Sequence, residues 1–460
     1  MLPIAIDRDS RSSMTAQIQS AIRGRIQDGT LHPGVRLPSS RDLAADLEVS
    51  RSVVVQAYEQ LTAEGYLRSA QGSGTRVATH LPYTRRVAVE PAGGADARFD
   101  LRLDATSTMF FPRREWLSAY QHVVESIGGA GPRQPPLGVP ELRTELAAYL
   151  GRSRGVLATA ADIIVTATFD HIIGALSHVL RELGVDHLAV ENLGAPWQAR
   201  QAERAGLWVT GVPVDDEGID VDALALTGAR AVLVTPVSQV PTGVVLSPSR
   251  REELLRWAAD VDGWVIEYDR DGLLWFDGGS GPLALQRHAA DRVLYAGSTV
   301  GLLGPCIRLG WLAAPPAVAD RLRRAPLGAP DALTQLALAH FLSSGGLDQH
   351  VRQVRGIYRA RRSALRDAVA EHLPNATLTG APAGTHAYLR LPAGVDDARL
   401  AAVARTRSVL VHPGRHFQLG RRPSAPGIVL GYGAVRDGLL PEAVGLLAAT
   451  VDQVTGLLAS

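Results

Sequence analysis

Two short stretches of this 460-residue chain carry residue types at spacings that suit chemistry. The first, Val293 to Trp311, reads VLYAGSTVGLLGPCIRLGW. It offers hydroxyl donors at Ser298 and Thr299, a thiol at Cys306 and a guanidinium at Arg308. A guanidinium presents a planar fork of donors, so Arg308 can hold a carboxylate or a phosphate through two parallel hydrogen bonds. The competing reading makes Arg308 a structural ion pair with Asp269 or Glu267. Cys306 is either a thiol activated by the nearby arginine or a small buried hydrophobe. Amine chemistry is excluded: Lys and Arg together number 47, and every one of them is arginine. No Schiff base to a lysine can form anywhere in the chain.

The second stretch, Leu37 to Val77, reads LPSSRDLAADLEVSRSVVVQAYEQLTAEGYLRSAQGSGTRV. It carries Arg41, then Ser50, Arg51 and Ser52, then the tip residues Gly72, Ser73 and Gly74. An arginine at the start of a groove-inserted helix can reach guanine O6 and N7. A tip without Cβ atoms lets backbone N–H groups approach a phosphate.

These groups need elements to hold them. Ile18, Ile22 and Ile26 recur at four-residue spacing and predict a helix over Met14 to Asp28. Ser39 and Ser40 offer a cap for a second helix, which buries Leu43, Ala44 and Leu47. A turn at Glu48 to Ser50 leads into a third helix, ending near Glu64, with Val54, Tyr58 and Leu61 inward. Gly65 stops it, and a hairpin follows around the Gly-rich tip. Helix, turn, helix and Gly-tipped hairpin form a winged helix-turn-helix over 1–79. Residues 80–98, with Pro82, Arg85, Arg86 and a Pro-Ala-Gly-Gly run, read as a linker.

Residues 99–460 alternate apolar strands with helices, which predicts an α/β domain whose mainly parallel sheet is covered on both faces. Expected strands are Ile163 to Thr166, Leu188 to Glu191, Val209 to Val214, Ala231 to Thr235, Trp264 to Tyr268, Val293 to Gly297 and Ile307 to Leu312. A helical run from Ala332 to Glu371, broken at Gly345-Gly346, precedes a smaller α+β subdomain. Its expected strands are Thr385 to Leu391, Val409 to Val411 and Gly427 to Gly431.

Composition narrows the classes. The 47 basic residues against 46 acidic ones give no global polyanion signal, and the first 79 residues carry nine Arg against eight acids. A single cysteine excludes an intrachain disulfide framework and fits a reducing compartment. Without a leader-like start or a long apolar run, the chain is expected to be soluble and cytoplasmic, with no membrane association. The missing lysines fit GC-rich coding, since Asn is also scarce, at Asn192 and Asn375 only. The sharper alternative is selection against amines by an amine-reactive carbonyl compound.

The Leu37–Val77 wording closely resembles the GntR family of bacterial regulators, in which the positions of Arg41, Ser50 to Ser52 and Gly72 to Gly74 contact DNA. From Phe99 to Leu458 the chain resembles fold-type I aminotransferases, through Gly138-Val139-Pro140, Thr235-Pro236, Gln239-Val240-Pro241-Thr242-Gly243 and the Val293–Trp311 frame. The combination resembles the MocR subfamily. That resemblance implies a homodimer that regulates transcription, and an ancestral site for pyridoxal phosphate (PLP). The site's positions have changed. Gly301 stands where the Schiff-base lysine belongs. Tyr268, or Asp269 after a slip of one, stands where a carboxylate would hold the pyridine nitrogen. Thr168-Phe169-Asp170 replaces the phosphate-cradling turn, Ala195 the ring-stacking aromatic and Val429 the carboxylate-gripping arginine.

The expectation is a regulator, not an enzyme, with no cofactor, no metal and no catalytic residue. The candidate effector residues are Phe169, Trp197, Ser238, Tyr268, Asp269, Ser298, Thr299, Gly301 and Arg308. The alternatives are a PLP-dependent regulator or aminotransferase, which the lack of lysine disfavours, and a constitutive regulator whose body only dimerises.

Overall fold

The computed structural model describes residues 4, 6–8, 10, 12–27, 29–70, 74–78, 97–103, 108–128, 135–279, 281–325, 327–328, 330–420 and 425–456. The chain divides into two compact units, Met1–Gly94 and Ala95–Ser460. The Arg85-Arg86 and Pro-Gly features assigned to a linker lie outside the described residues, as do Gly72 and Ser73.

The first unit contains the helices Met14–Gln27, Ser40–Asp46 and Arg51–Ala63, then an antiparallel hairpin of Leu67–Ala70 and Gly74–Val77. Ile18, Ile22 and Ile26 pack with Leu43, Val54, Ala57, Tyr58 and Leu61 into one core. Burial of that apolar stripe is the main stabilising term, at about 25 cal/mol for each Å² removed from water. Ser39 caps the second helix by accepting from the Asp42 N–H at 3.2 Å. The Tyr58 hydroxyl donates to the Pro38 carbonyl at 3.0 Å, tying the third helix to the start of the second.

The second unit is built on a seven-stranded sheet in the order Ile163–Thr166, Gly310–Ala313, Val293–Ser298, Trp264–Tyr268, Ala231–Val234, His187–Glu191, Trp208–Val212. All strands run parallel except Gly310–Ala313, which is antiparallel to both neighbours. Alternate residues enter different cores: Ile266 packs on one face with Ile172, Leu176 and Leu180, and Val265 on the other with Leu254 and Trp257. The helices Phe169–Glu182 and Pro248–Asp260 supply those covers.

Three local expectations are corrected. Strand pairing begins at Gly310, not Ile307, because Thr299 intercepts the intervening backbone: its Oγ1 donates to the Ile307 carbonyl and accepts from the Leu309 N–H. The Gly-rich stretch between the expected strands Val293 to Gly297 and Ile307 to Leu312, which reads as loop, contains one helical turn, Val300–Leu303, ended where Gly304 takes a φ of +71°. Val409–Leu410 pairs in parallel with Phe99–Asp100. The smaller sheet instead has the order Thr377–Thr379, His386–Arg390, Gly427–Gly431, His412–Pro413. Pro413 sits on its edge, where a missing N–H costs no ladder bond. Helices Ala332–Ser343 and Gly346–His372 meet at Gly345, at a φ of +75°. Among the described residues, no helix is long and apolar enough to cross a membrane.

Candidate functional site

The DNA-type residues cluster at the start of the third helix. Ser50 is its N-cap in extended conformation, and its hydroxyl meets Ser52 Oγ at 2.8 Å instead of capping the helix. Arg51 and Ser52 are exposed, while Val54, Ala57, Tyr58 and Leu61 hold the opposite face in the core. Arg51 Nε donates at 3.3 Å to the Oγ of Ser40, the first residue of the second helix, and the next residue, Arg41, is exposed. In the hairpin, Gly74 adopts a φ of +81° and lies against the Arg36 guanidinium. The wing is broadened by Leu37 N–H donating to the Thr75 carbonyl and Val77 N–H to the Val35 carbonyl, each at 2.9 Å. Exposed Arg68 and Arg76 add positive charge to the same hairpin.

In the second unit, a cavity of about 690 Å³ opens at the carboxyl ends of the strands His187–Glu191, Ala231–Val234, Trp264–Tyr268 and Val293–Ser298. Its lining includes Phe169, Trp197, Tyr268, Ser298 and Arg308 from the sequence-derived set. The Phe169 and Tyr268 rings stack with centroids 3.7 Å apart and planes 2° from parallel. The Tyr268 hydroxyl reaches toward Ser298 Oγ at 3.5 Å. Arg308 makes no hydrogen bond or ion pair with any described residue. Burial pushes the Asp170 carboxyl above its ordinary value, against the opposing pull of His171 and then of Arg308.

Four members of that set do not line this cavity. Asp269 falls on the opposite side from Tyr268, as strand alternation requires, and is fully engaged. It accepts from Arg154 Nε at 2.6 Å, Tyr295 Oη at 2.9 Å and Gly272 N–H at 2.8 Å. The Arg308 ion-pair reading therefore fails: Asp269 belongs to buried Arg154, and Glu267 accepts from the Leu285 and Gln286 N–H groups at 3.0 Å each. Thr299 is buried and spends its hydroxyl on the backbone of 307–309, and Ser238 is buried. Gly301 faces a small crevice with Phe110 and Tyr358. Cys306 is exposed, against the reading of a buried hydrophobe.

Sequence reasoning missed several lining residues. Glu191 is buried beneath the cavity and accepts from Thr235 Oγ1 at 2.8 Å and Gln239 Nε2 at 3.2 Å. Burial pushes its pKa up to about 7, against the opposing pull of those hydrogen bonds. His412 and His416 stack at 5.0 Å, and Trp197 meets Phe417 edge-on at 6.1 Å. These come together because two distant segments zip: Gly194 N–H donates to the Phe417 carbonyl at 2.9 Å and Leu419 N–H to Asn192 at 2.7 Å. Only the Gln239–Gly243 motif had drawn notice in sequence, and nothing local in it points to Glu191.

A PLP cofactor needs an amine for its aldehyde and an acidic or arginine partner for its pyridine nitrogen. Gly301 supplies no amine, and Tyr268 is packed face to face on Phe169. The residues present do not fit a covalently held PLP. Among the described residues, no cluster of three or more metal-ligating side chains occurs.

Comparison with known proteins agrees with this two-part organisation. Residues 14–77 match the family described as bacterial regulatory proteins, gntR family, and residues 104–270 match aminotransferase class I and II. The chain is 34% identical over 441 residues to the HTH-type pyridoxine biosynthesis transcriptional regulator PdxR of Corynebacterium glutamicum, covering 94% of this chain and 95% of that protein. It is 29% identical to the probable rhizopine catabolism regulatory protein MocR of Rhizobium meliloti, covering 96% of this chain and 95% of that one. Among solved structures, an archaeal alanine:glyoxylate aminotransferase aligns with a TM-score of 0.71 at 26% identity, covering 77% of this chain and 91% of that one. A kynurenine aminotransferase of Pyrococcus horikoshii aligns with a TM-score of 0.71 at 22% identity, covering 81% and 97%, and shows the shared fold. The chain therefore belongs to the MocR/PdxR-type transcription regulators, in which a GntR helix-turn-helix is fused to an aminotransferase-like domain.

Proposed function

We propose that the chain is a DNA-binding regulator whose aminotransferase-like unit senses a small molecule non-covalently, without PLP and without catalysis. The carrying observation is the pairing of an exposed Arg51-Ser52 helix start with a cavity of about 690 Å³ in a chain that has no lysine. Arg41, Ser50, Arg51 and Ser52 read the major groove, and Gly72, Ser73 and Gly74 approach the phosphates. The domain limits are 1–79, 80–98 and 99–460, and the working unit is a homodimer on paired half-sites. Effector binding shifts operator affinity by a coupling of about 1–3 kcal/mol. A purely constitutive regulator would have no use for an arginine that lines a cavity without a hydrogen-bond or ion-pair partner among the described residues. No lining group selects a carbonyl compound, so the effector's class rests on shape and charge.

Gel-shift and footprinting with the chain's own promoter region test the reading. A protected pair of half-sites is the expected result, and failure to bind any nearby operator would sink it. Titrating PLP tests the cofactor claim: no absorbance change of an imine and no shift in thermal stability are expected.

A further inference from the structure

We propose that the ligand of this cavity is a planar aromatic monocarboxylate, and that Asp170 limits it to a single negative charge. The inference rests on the reading of the cavity as the effector site. Its shape argues for a ring. Phe169 and Tyr268 are closed on each other as one stacked pair, so the ring-binding surface of the lining is drawn from Trp197 and from the His412–His416 pair, which lies within 8° of parallel. Much of the remaining lining is aliphatic, as with Leu103, Val190 and Leu233. A volume of about 690 Å³ suits a ligand of one or two fused rings with substituents.

Charge argues for one carboxylate. Arg308 has no hydrogen-bond or ion-pair partner among the described residues, so its donor fork is available to an anion. Arg270 also lines the cavity; its Nη2 donates to the Leu103 carbonyl at 3.4 Å and its charge acts on the buried Asp271 carboxyl. Asp170 lines the same cavity, lies close enough to His171 and Arg308 to feel their charge, and has no hydrogen-bond or ion-pair partner among the described residues. A monoanion can take Arg308 and leave Asp170 in water. A dianion brings its second charge against that carboxylate in a partly desolvated site, where like charges repel strongly.

Calorimetry on the full chain with three naphthyl probes tests this: 2-naphthoate, the neutral 2-naphthalenemethanol and, at pH 8, dianionic 2-naphthyl phosphate. Naphthoate should bind at least tenfold more tightly than either of the others. Arg308→Gln should erase its advantage over the alcohol, and Asp170→Asn should strengthen the phosphate at least fivefold without helping the alcohol. An alcohol that matches naphthoate, a phosphate that binds best, or an unchanged order in Asp170→Asn overturns the proposal, as does absence of binding by all three. The cavity reading is judged separately with Ala199→Trp, which fills the lining. If that variant still lets small molecules from a cell extract alter operator binding, the effector lies elsewhere. If it blocks them while the charge order fails, only the ligand class is wrong.

Discussion

A methyl group built on Gly301 would come no closer than 3.5 Å to the Arg270 carbonyl and 3.8 Å to Leu274 Cδ1. Those are ordinary contacts, so the backbone does not demand glycine here. Gly301→Ala should change stability by less than about 1 kcal/mol, read from chemical denaturation. Gly301→Lys then isolates the rest of the pocket. It restores the single amine that PLP chemistry needs, in a chain with no other lysine. We expect borohydride treatment with stoichiometric PLP to fix no pyridoxyl group at position 301 by mass spectrometry, because Phe169 and Tyr268 occupy each other. Stoichiometric labelling would mean that the surrounding site still accepts the cofactor. The buried acids offer a second test. Burial raises Glu191 and Glu267 from 4.5 to about 7, so the folded chain holds protons that the unfolded chain releases. Stability should therefore fall as pH rises from about 4.5 to about 7. Glu191→Gln should flatten that decline, by about 1–3 kcal/mol across the window, in thermal melts at successive pH values.

At the scale of the element, the third helix separates folding from recognition by face. Leu61→Ala, at a fully buried position, should cost about 2–5 kcal/mol and unfold the first unit before the second, giving an early step in thermal melts. Arg51→Ala should leave those melts unchanged and abolish specific DNA binding; retention of footprint specificity would show that another element reads the bases. That helix was legible in sequence because Val54, Tyr58 and Leu61 repeat at helical spacing, a local signal. The strands were legible for the same reason, as continuous apolar runs. Where the chain's local text was misleading, a tertiary contact decided. Ile307 to Leu309 has strand-like composition, yet the Thr299 hydroxyl takes its backbone groups. The cavity was half legible: Phe169, Tyr268 and Arg308 stood out through the altered frame. Glu191 with Gln239, 48 positions apart, and Arg154 with Asp269, 115 apart, meet only after the sheet is assembled. Neither residue of such a pair announces its partner.

At the scale of the whole molecule, the two units divide the labour: Met1–Gly94 has its own closed core, and Ala95–Ser460 has the cavity. The first unit carries little net charge, so a single copy should hold DNA weakly. If the second unit joins two heads, the second half-site is bound at high effective concentration, and affinity rises by a factor of about 10²–10⁴. The full chain should therefore bind a two-half-site operator at least 100-fold more tightly than residues 1–94 alone. On a single half-site the two should nearly match. Inserting about 5 bp between half-sites turns the second one to the far side of the duplex and should cost most of that gain, while about 10 bp should restore much of it. Fluorescence anisotropy across these four DNAs measures the effect directly. Equal affinities for the fragment and the full chain on every DNA would mean that the second unit does not pair the heads, and a ligand in its cavity would then need another route to the operator.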